Sequence, residues 1–338
     1  MSLAVVFDCE GARASDAEKA FFREVDPFGF IVFARHCENA DELRAHCDEL
    51  RECVGRDAPI MIEQEGGRVA RMKSPTFPAH PAPALFGELW KLDPKVARQA
   101  ARLNGYLLGR LVSDCGVNVN CVPMLDVPQP DADPVVIGDR AFARHQDVII
   151  DLAREMRAGS QEGGAGPVIK HMPGHGRALC DSHYECPTVG ASYADLAEID
   201  LAPFKALNDT AMGMTGHVVY EAIDPDNPAT TSSRVISDII RDEIGFDGLL
   251  FTDDLKMQAL EGGMQARVAS SLAAGCDIAL CCNFDMAEKK AAVEGAQPLK
   301  EKSSDRAVRA LAAIKPVQRD DTKDAYKQLA ALLKPVTV

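Results

Sequence analysis

The sequence predicts an α/β protein: one TIM-like (β/α)8 barrel with further helices packed on it at the C-terminal end. Three observations carry this reading. Short, nearly continuous apolar runs alternate with helical segments, eight such runs fall within 338 residues, and charged or titratable side chains gather where the runs stop. Runs that are apolar on both faces form parallel sheets covered on both sides. Eight strand–helix units in a chain of this size favour a barrel over a doubly wound sheet.

The first run, residues 4–7 (AVVF), stops at Asp8 and Glu10, and the second, 30–33 (FIVF), at Arg35 and His36. A helical segment over 41–54 leads to the third run, 59–62 (PIMI), which stops at Glu63-Gln64-Glu65. The next helix, over 95–115, precedes a fourth run over 117–125 that ends at Asp126, with Arg140 in the long loop beyond. After a helix over 146–160, the fifth run, 167–169 (PVI), stops at Lys170 and His171. A helix over 193–207 precedes the sixth run, 212–219, which carries His217 late in its length. A helix over 232–244 leads to the seventh run, 248–252 (GLLFT), which stops at Asp253 and Asp254. The last helix of the repeat, over 265–274, leads to the eighth run, 277–281 (DIALC). The tail from about residue 303 holds two helical patterns, 304–315 and 321–333, read as packed on the barrel, so a single domain over 1–338 is expected. In barrels of this kind the face at the strand C-terminal ends carries the active site.

Composition narrows the function. A formal net charge of −14, with no basic stripe to offset it, argues against nucleic-acid binding and against an anionic membrane surface. No apolar run approaches the roughly 20 residues of a membrane span. The start, MSLAVVFDCEGARASD, has no basic leader, and its apolar run breaks at Asp8. The eleven cysteines are odd in number and sit mostly in apolar or helical contexts such as Cys47, Cys53 and Cys276, which fits a reducing compartment. A cytoplasmic protein, monomeric and acting on a small molecule, is expected.

The densest chemistry lies in residues 170–183, KHMPGHGRALCDSH, which hold three of the eight histidines. Lys170 and His171 read either as site groups or as a buried ion pair and a satisfied core histidine. Gly174-His175-Gly176 is open to a reading as a glycine turn, and Asp181-Ser182-His183 to one as a helix N-cap. Of Asp253 and Asp254, one is expected to act and the other to support, although either could cap the following helix. A metal is not expected. No histidine precedes His36, and no His-x-x-Glu-His or paired Cys-x-x-Cys arrangement occurs.

Seven segments together resemble the bacterial β-N-acetylglucosaminidases of glycoside hydrolase family 3, the single-domain enzymes of peptidoglycan recycling. They are EQEGGRVAR (63–71), IGDRAF (137–142), KHMPGHG (170–176), DSH (181–183), MTGHVVY (214–220), IDPDNPAT (223–230) and FTDDLKM (251–257), in the family's order. The resemblance implies a retaining exo-glycosidase that needs no metal or other cofactor and works through a covalent glycosyl-enzyme intermediate. It implies Asp253 as nucleophile, His183 as general acid/base and Asp181 as its partner. Sugar contacts are implied for Glu63, Arg71, Arg140, Lys170 and His171. The implied substrate is N-acetylglucosamine linked β-1,4 to anhydromuramic acid, with or without peptide. A phosphorylase of the same family and a catalytically impaired sugar-binding protein are the alternatives.

The expected chemistry suits these residue types. A carboxylate on a rigid strand end makes a well-placed nucleophile, and a histidine with an ordinary pKa of about 6.5 can give and retake a proton near neutrality. One departure stands out. The family usually carries Asp where this chain has Glu63, and the extra methylene moves the carboxylate outward by roughly 1.5 Å, enough to disturb hydrogen-bond geometry.

Overall fold

Among the residues described by the computed structural model (2–182, 184–317 and 321–337), eight parallel strands close into a barrel. They are β1 (Leu3–Phe7), β2 (Pro27–Val32), β3 (Ile60–Ile62), β4 (Val119–Asn120), β5 (Gly166–Met172), β6 (Met212–Thr215), β7 (Leu249–Asp254) and β8 (Ile278–Cys281). Each pairs with its neighbours in chain order, and β8 closes on β1 through Val5–Ala279, Val6–Leu280 and Phe7–Cys281. The strand residues are almost all buried, as a sheet covered by helices requires. Among the described residues no helix is long and apolar enough to cross a membrane.

Two of the eight runs pair over less of their length than their apolarity predicts. Residues 117–125 pair in regular fashion only over Val119–Asn120, because Pro123 has no N–H to give the ladder. The run over 212–219 leaves the barrel after Thr215, and Val219–Tyr220 pairs with Thr188–Val189 in a separate two-stranded sheet. Helices Asp16–Val25, Pro83–Leu92 and Met286–Gly295 were not anticipated by periodicity. The first starts from a reciprocal cap: Ser15 Oγ accepts the Glu18 N–H at 3.3 Å, and Glu18 Oε2 accepts the Ser15 N–H at 2.9 Å.

The tail packs on the barrel. Helix Glu301–Ala312 lies across its N-terminal end, where Arg306 Nη1 donates to Asp277 Oδ1 at 3.2 Å while Asp277 Oδ2 accepts from Arg241 and from the Leu250 N–H. Helix Lys323–Leu333 packs on Pro94–Asp114, burying Leu329 and Leu333.

At the opposite, C-terminal end two strands carry one residue more than their neighbour. Lys170 and Met172 of β5 pair with Met214 and Thr215 of β6, which leaves His171 extra. Phe251 and Asp254 of β7 pair with Ile278 and Leu280 of β8, so two residues of β7 oppose one of β8. Such bulges re-aim side chains that strict alternation would send to opposite faces. Here Asp253 and Asp254 of β7 both line the barrel mouth, and in β5 His171 lines it beside the buried Lys170.

Candidate active site

Above the strand ends opens a cavity of about 400 Å3, lined on its polar side by Glu63, Arg68, Arg71, Arg140, His171, His175, Asp181, Asp253 and Asp254. Ile31, Phe33, Val69, Val136, Met257 and Leu280 supply its apolar surface.

The segment after β3 builds one wall. Gln64 is buried and ties the turn together: its Oε1 accepts the N–H groups of Arg71 and Met72 at 2.8 and 3.0 Å, and its Nε2 donates to the Met72 carbonyl at 3.0 Å. Gly66 (φ +100) follows because a Cβ there would stand 2.4 Å from the Pro81 carbonyl oxygen. Glu63 and Glu65, two residues apart, then converge on Lys170. Lys170 Nζ lies 3.1 Å from Glu63 Oε1 and 2.7 Å from Glu65 Oε1. Arg71 holds the other Glu63 oxygen while its guanidinium lies 5.3 Å over the Phe33 ring. Arg140 grips Glu65 with both arms of its fork, at 2.9 and 2.8 Å.

These contacts set the charges. Burial pushes Glu63 and Glu65 upward, but Lys170 with Arg71, and Lys170 with Arg140, outweigh it and hold Glu63 well below the carboxylate range and Glu65 down to about 2. Lys170 is pulled above its ordinary value for the same reason, against the cost of burial. The wall is therefore fully ionised at neutral pH, with two carboxylates facing three cations.

The segments after β4 and β5 build the next wall. His171 Nδ1 lies 2.6 Å from Asp126 Oδ2, and Asp126 Oδ1 accepts the His175 N–H at 2.6 Å. Burial raises Asp126 well above its usual value. His171 has φ +129, a strained conformation for a residue with a side chain, and the Asp126 bond holds it there. Gly176 is required in the next turn, since a Cβ would meet the Val127 carbonyl oxygen at 2.1 Å. His175 is buried with no partner on Nδ1 among the described residues, and burial lowers it to about 4, so it is neutral near pH 7.

The last wall is the end of β7. Asp253 is half-buried, with Oδ1 accepting the Asp254 N–H at 2.8 Å. Asp254 Oδ1 accepts N–H bonds from Lys256 and Cys282, yet burial, with Asp253 and Asp8 close by, raises its carboxyl to about 7. Arg35, at the end of β2, pairs with Asp8 and bonds the Cys9 carbonyl and Asn283, so this pair braces the rim.

Of the residues singled out from sequence, Glu63, Arg71, Arg140, His171, Asp181 and Asp253 line one cavity. Lys170 is fully buried behind them, where its ammonium fixes both carboxylates of the β3 wall. His183 lies outside the described residues. Its loop is anchored next to it, where the buried Ser182 offers its carbonyl to the Ala259 N–H at 3.3 Å. Glu65 and Asp126 were legible only as charges at strand ends, although they organise Arg140, Lys170 and His171. Among the described residues no group of three His, Cys, Asp or Glu side chains is placed to hold a metal ion.

Comparison with known proteins bears on the family and the fold. Residues 7–314 match the glycosyl hydrolase family 3 N-terminal domain. A β-hexosaminidase of Bordetella avium is 37% identical over 283 residues, covering 82% of this chain and 80% of that protein. NagZ of Neisseria gonorrhoeae, solved in complex with N-trifluoroacetyl-D-glucosamine, superposes with a TM-score of 0.88 at 30% identity over 99% of this chain and 98% of that one. A family 3 β-N-acetylglucosaminidase from a Paenibacillus species gives a TM-score of 0.86 at 27% identity, covering 97% of this chain and 66% of that one.

Proposed function

Since the chain belongs to glycosyl hydrolase family 3 and is a glycoside hydrolase of the β-N-acetylhexosaminidase type, we propose that it is an exo-acting, retaining β-N-acetylglucosaminidase of peptidoglycan fragments. The observation that carries the reading is the position of Asp253, aimed into a pocket whose facing wall is an ionised array of Glu63, Glu65, Arg71 and Arg140. Polar groups of both signs, fixed by one another, suit a sugar ring that offers hydroxyls as donors and acceptors.

In this reading Asp253 attacks the anomeric carbon and forms an ester bond as the bond to the leaving oxygen breaks. His183 protonates that oxygen, then takes a proton from the water that cleaves the ester, while Asp181 holds the imidazole in one tautomer. Glu63, Arg71, Arg140 and His171 bind the hydroxyls of the terminal N-acetylglucosamine, and Lys170 acts from behind by holding Glu63 and Glu65. The resemblance to NagZ, bound there to an N-acylglucosamine analogue, supports N-acetylglucosamine as the glycone. The aglycone is proposed to be anhydromuramic acid, with or without its peptide.

The test compares release of nitrophenol from the β-N-acetylglucosaminide and from the β-glucoside. The reading expects turnover of the first only. Equal turnover of both would remove the N-acetyl specificity, and no turnover of either would favour a sugar-binding protein.

A further inference from the structure

Behind the proposed nucleophile runs a buried chain of hydrogen bonds that the reaction as described does not use. His217 follows β6 and is fully buried, with Nε2 3.0 Å from the Asp254 carbonyl oxygen and Nδ1 2.7 Å from Thr230 Oγ1. A carbonyl can only accept, so Nε2 carries a proton and donates it, while Nδ1 shares a second bond with the Thr230 hydroxyl, whose oxygen also lies 3.3 Å from the Gly216 carbonyl oxygen. Thr230 Oγ1 in turn stands 2.8 Å from Thr215 Oγ1, and both threonines are fully buried. The chain thus anchors the His217 ring at both nitrogens, to Asp254 on one side and to the loop that carries Thr230 on the other.

Its terminus is a place where the sheet cannot supply the bond. Asp254 pairs with Leu280 of β8 on one side, but on the other β6 ends at Thr215 and its pairing with β7 stops at Met214–Phe251. Its neighbourhood is otherwise pinned: the Leu255 N–H donates to the Leu280 carbonyl at 3.0 Å, and Asp254 Oδ1 accepts from Lys256 and Cys282 at 2.9 and 3.2 Å. His217 takes the remaining carbonyl. With the residue held at carbonyl and side chain, its own N–H has one direction left, toward Asp253 Oδ1 at 2.8 Å.

We propose that His217 and Thr230 are positioning residues for the glycosidase reaction, acting through Asp254 to clamp Oδ1 of Asp253 and leave Oδ2 as the attacking oxygen. The inference rests on the reading of Asp253 as nucleophile. A carboxylate free to rotate would present either oxygen in a range of directions, whereas one oxygen held by a fixed N–H restricts attack to a narrow geometry.

The experiment measures covalent inactivation by a 5-fluorinated β-N-acetylglucosaminyl fluoride, with the maximal rate and the inhibitor's half-saturation constant resolved separately. His217→Leu keeps the volume and removes the donor, and should lower the maximal rate roughly 10-fold or more while half-saturation stays within about twofold. His217→Gln retains an amide donor and should recover most of the rate. Thr230→Val removes the anchor of the ring at Nδ1 and should fall between. A wild-type rate in His217→Leu overturns the proposal, and so do equal losses in the Leu and Gln variants, which would mean that the donor is not what matters. If His217→Leu does not give the wild-type circular dichroism spectrum, Thr230→Val decides alone, and a wild-type rate there overturns the proposal. Peptide mapping of the inactivated wild type keeps the two readings apart: a label away from Asp253 ends the nucleophile assignment, whatever the variants do.

Discussion

Glu63→Asp is the sharpest perturbation of the wall proposed to bind the sugar, because both Glu63 oxygens are already committed. Oε1 stands 3.1 Å from Lys170 Nζ, and Oε2 is bonded to Arg71. Removing one methylene withdraws the carboxylate by roughly 1.5 Å, which places at least one of these bonds beyond hydrogen-bond reach. A charge-assisted bond contributes about 1.5–3 kcal/mol. The Glu63 side chain is 21% exposed, so water partly replaces what is lost and the lower end applies. Lys170 keeps Glu65 at 2.7 Å, and Arg71 keeps its place over Phe33, so neither cation is orphaned. The expected result is a fall in kcat/KM of roughly 10-fold on nitrophenyl β-N-acetylglucosaminide. The melting temperature should change little, and Glu63→Ala should be worse than Glu63→Asp. A rise in kcat/KM for Glu63→Asp would refute the reasoning, since it would show that the longer side chain holds its carboxylate out of place. An unchanged value would show that the bonds to Lys170 and Arg71 do not position a group that touches the sugar.

Asp253→Ala should abolish turnover with the circular dichroism spectrum unchanged, and recovery of activity by added azide with inverted product would identify the missing group as the nucleophile; retained turnover would contradict the assignment. His183→Ala should slow alkyl glycosides far more than dinitrophenyl ones, because only a poor leaving group needs strong protonation. Asp181→Asn should show the same pattern more mildly, and equal losses on both substrates would remove His183 from the acid role. Asp254 predicts a pH-dependent stability. Its carboxyl titrates near 7 in the folded protein against 3.8 for the ordinary group, so the folded state binds the extra proton and ionisation costs stability as pH rises through that window. Asp254→Asn should therefore melt above wild type at pH 8 and converge with it near pH 4; a difference that does not vary with pH would contradict the raised value.

The barrel was legible because its evidence is local. Continuous apolar runs such as FIVF and GLLFT, each ending in charged residues, report strand, direction and functional face within a few residues of sequence. The helix over Asp16–Val25 has equally local signals, the Ser15–Glu18 box at its start and the buried Phe21 and Phe22, and was passed over because these stand in a short segment rich in charge. The site was legible by the same rule of strand ends, which brought Glu63, Arg140, His171 and Asp253 forward as candidates.

Partnership was a different matter. Nothing in the sequence says that Lys170 turns away from the cavity to hold Glu63 and Glu65, because that depends on the distance between β3 and β5, separated by more than a hundred residues. Nor does it say that Asp253 and Asp254 both face the mouth, or that His171 does so while its neighbour Lys170 does not. A strand taken alone alternates its side chains, and the bulges that break the alternation are a relation of register between two strands. The sequence by itself determined which residues stand at the strand C-terminal ends and what chemistry they can offer. Only the tertiary structure decided which of them touch, which carry charge and which act from behind, because distance and burial set those properties and both arise only when the barrel closes.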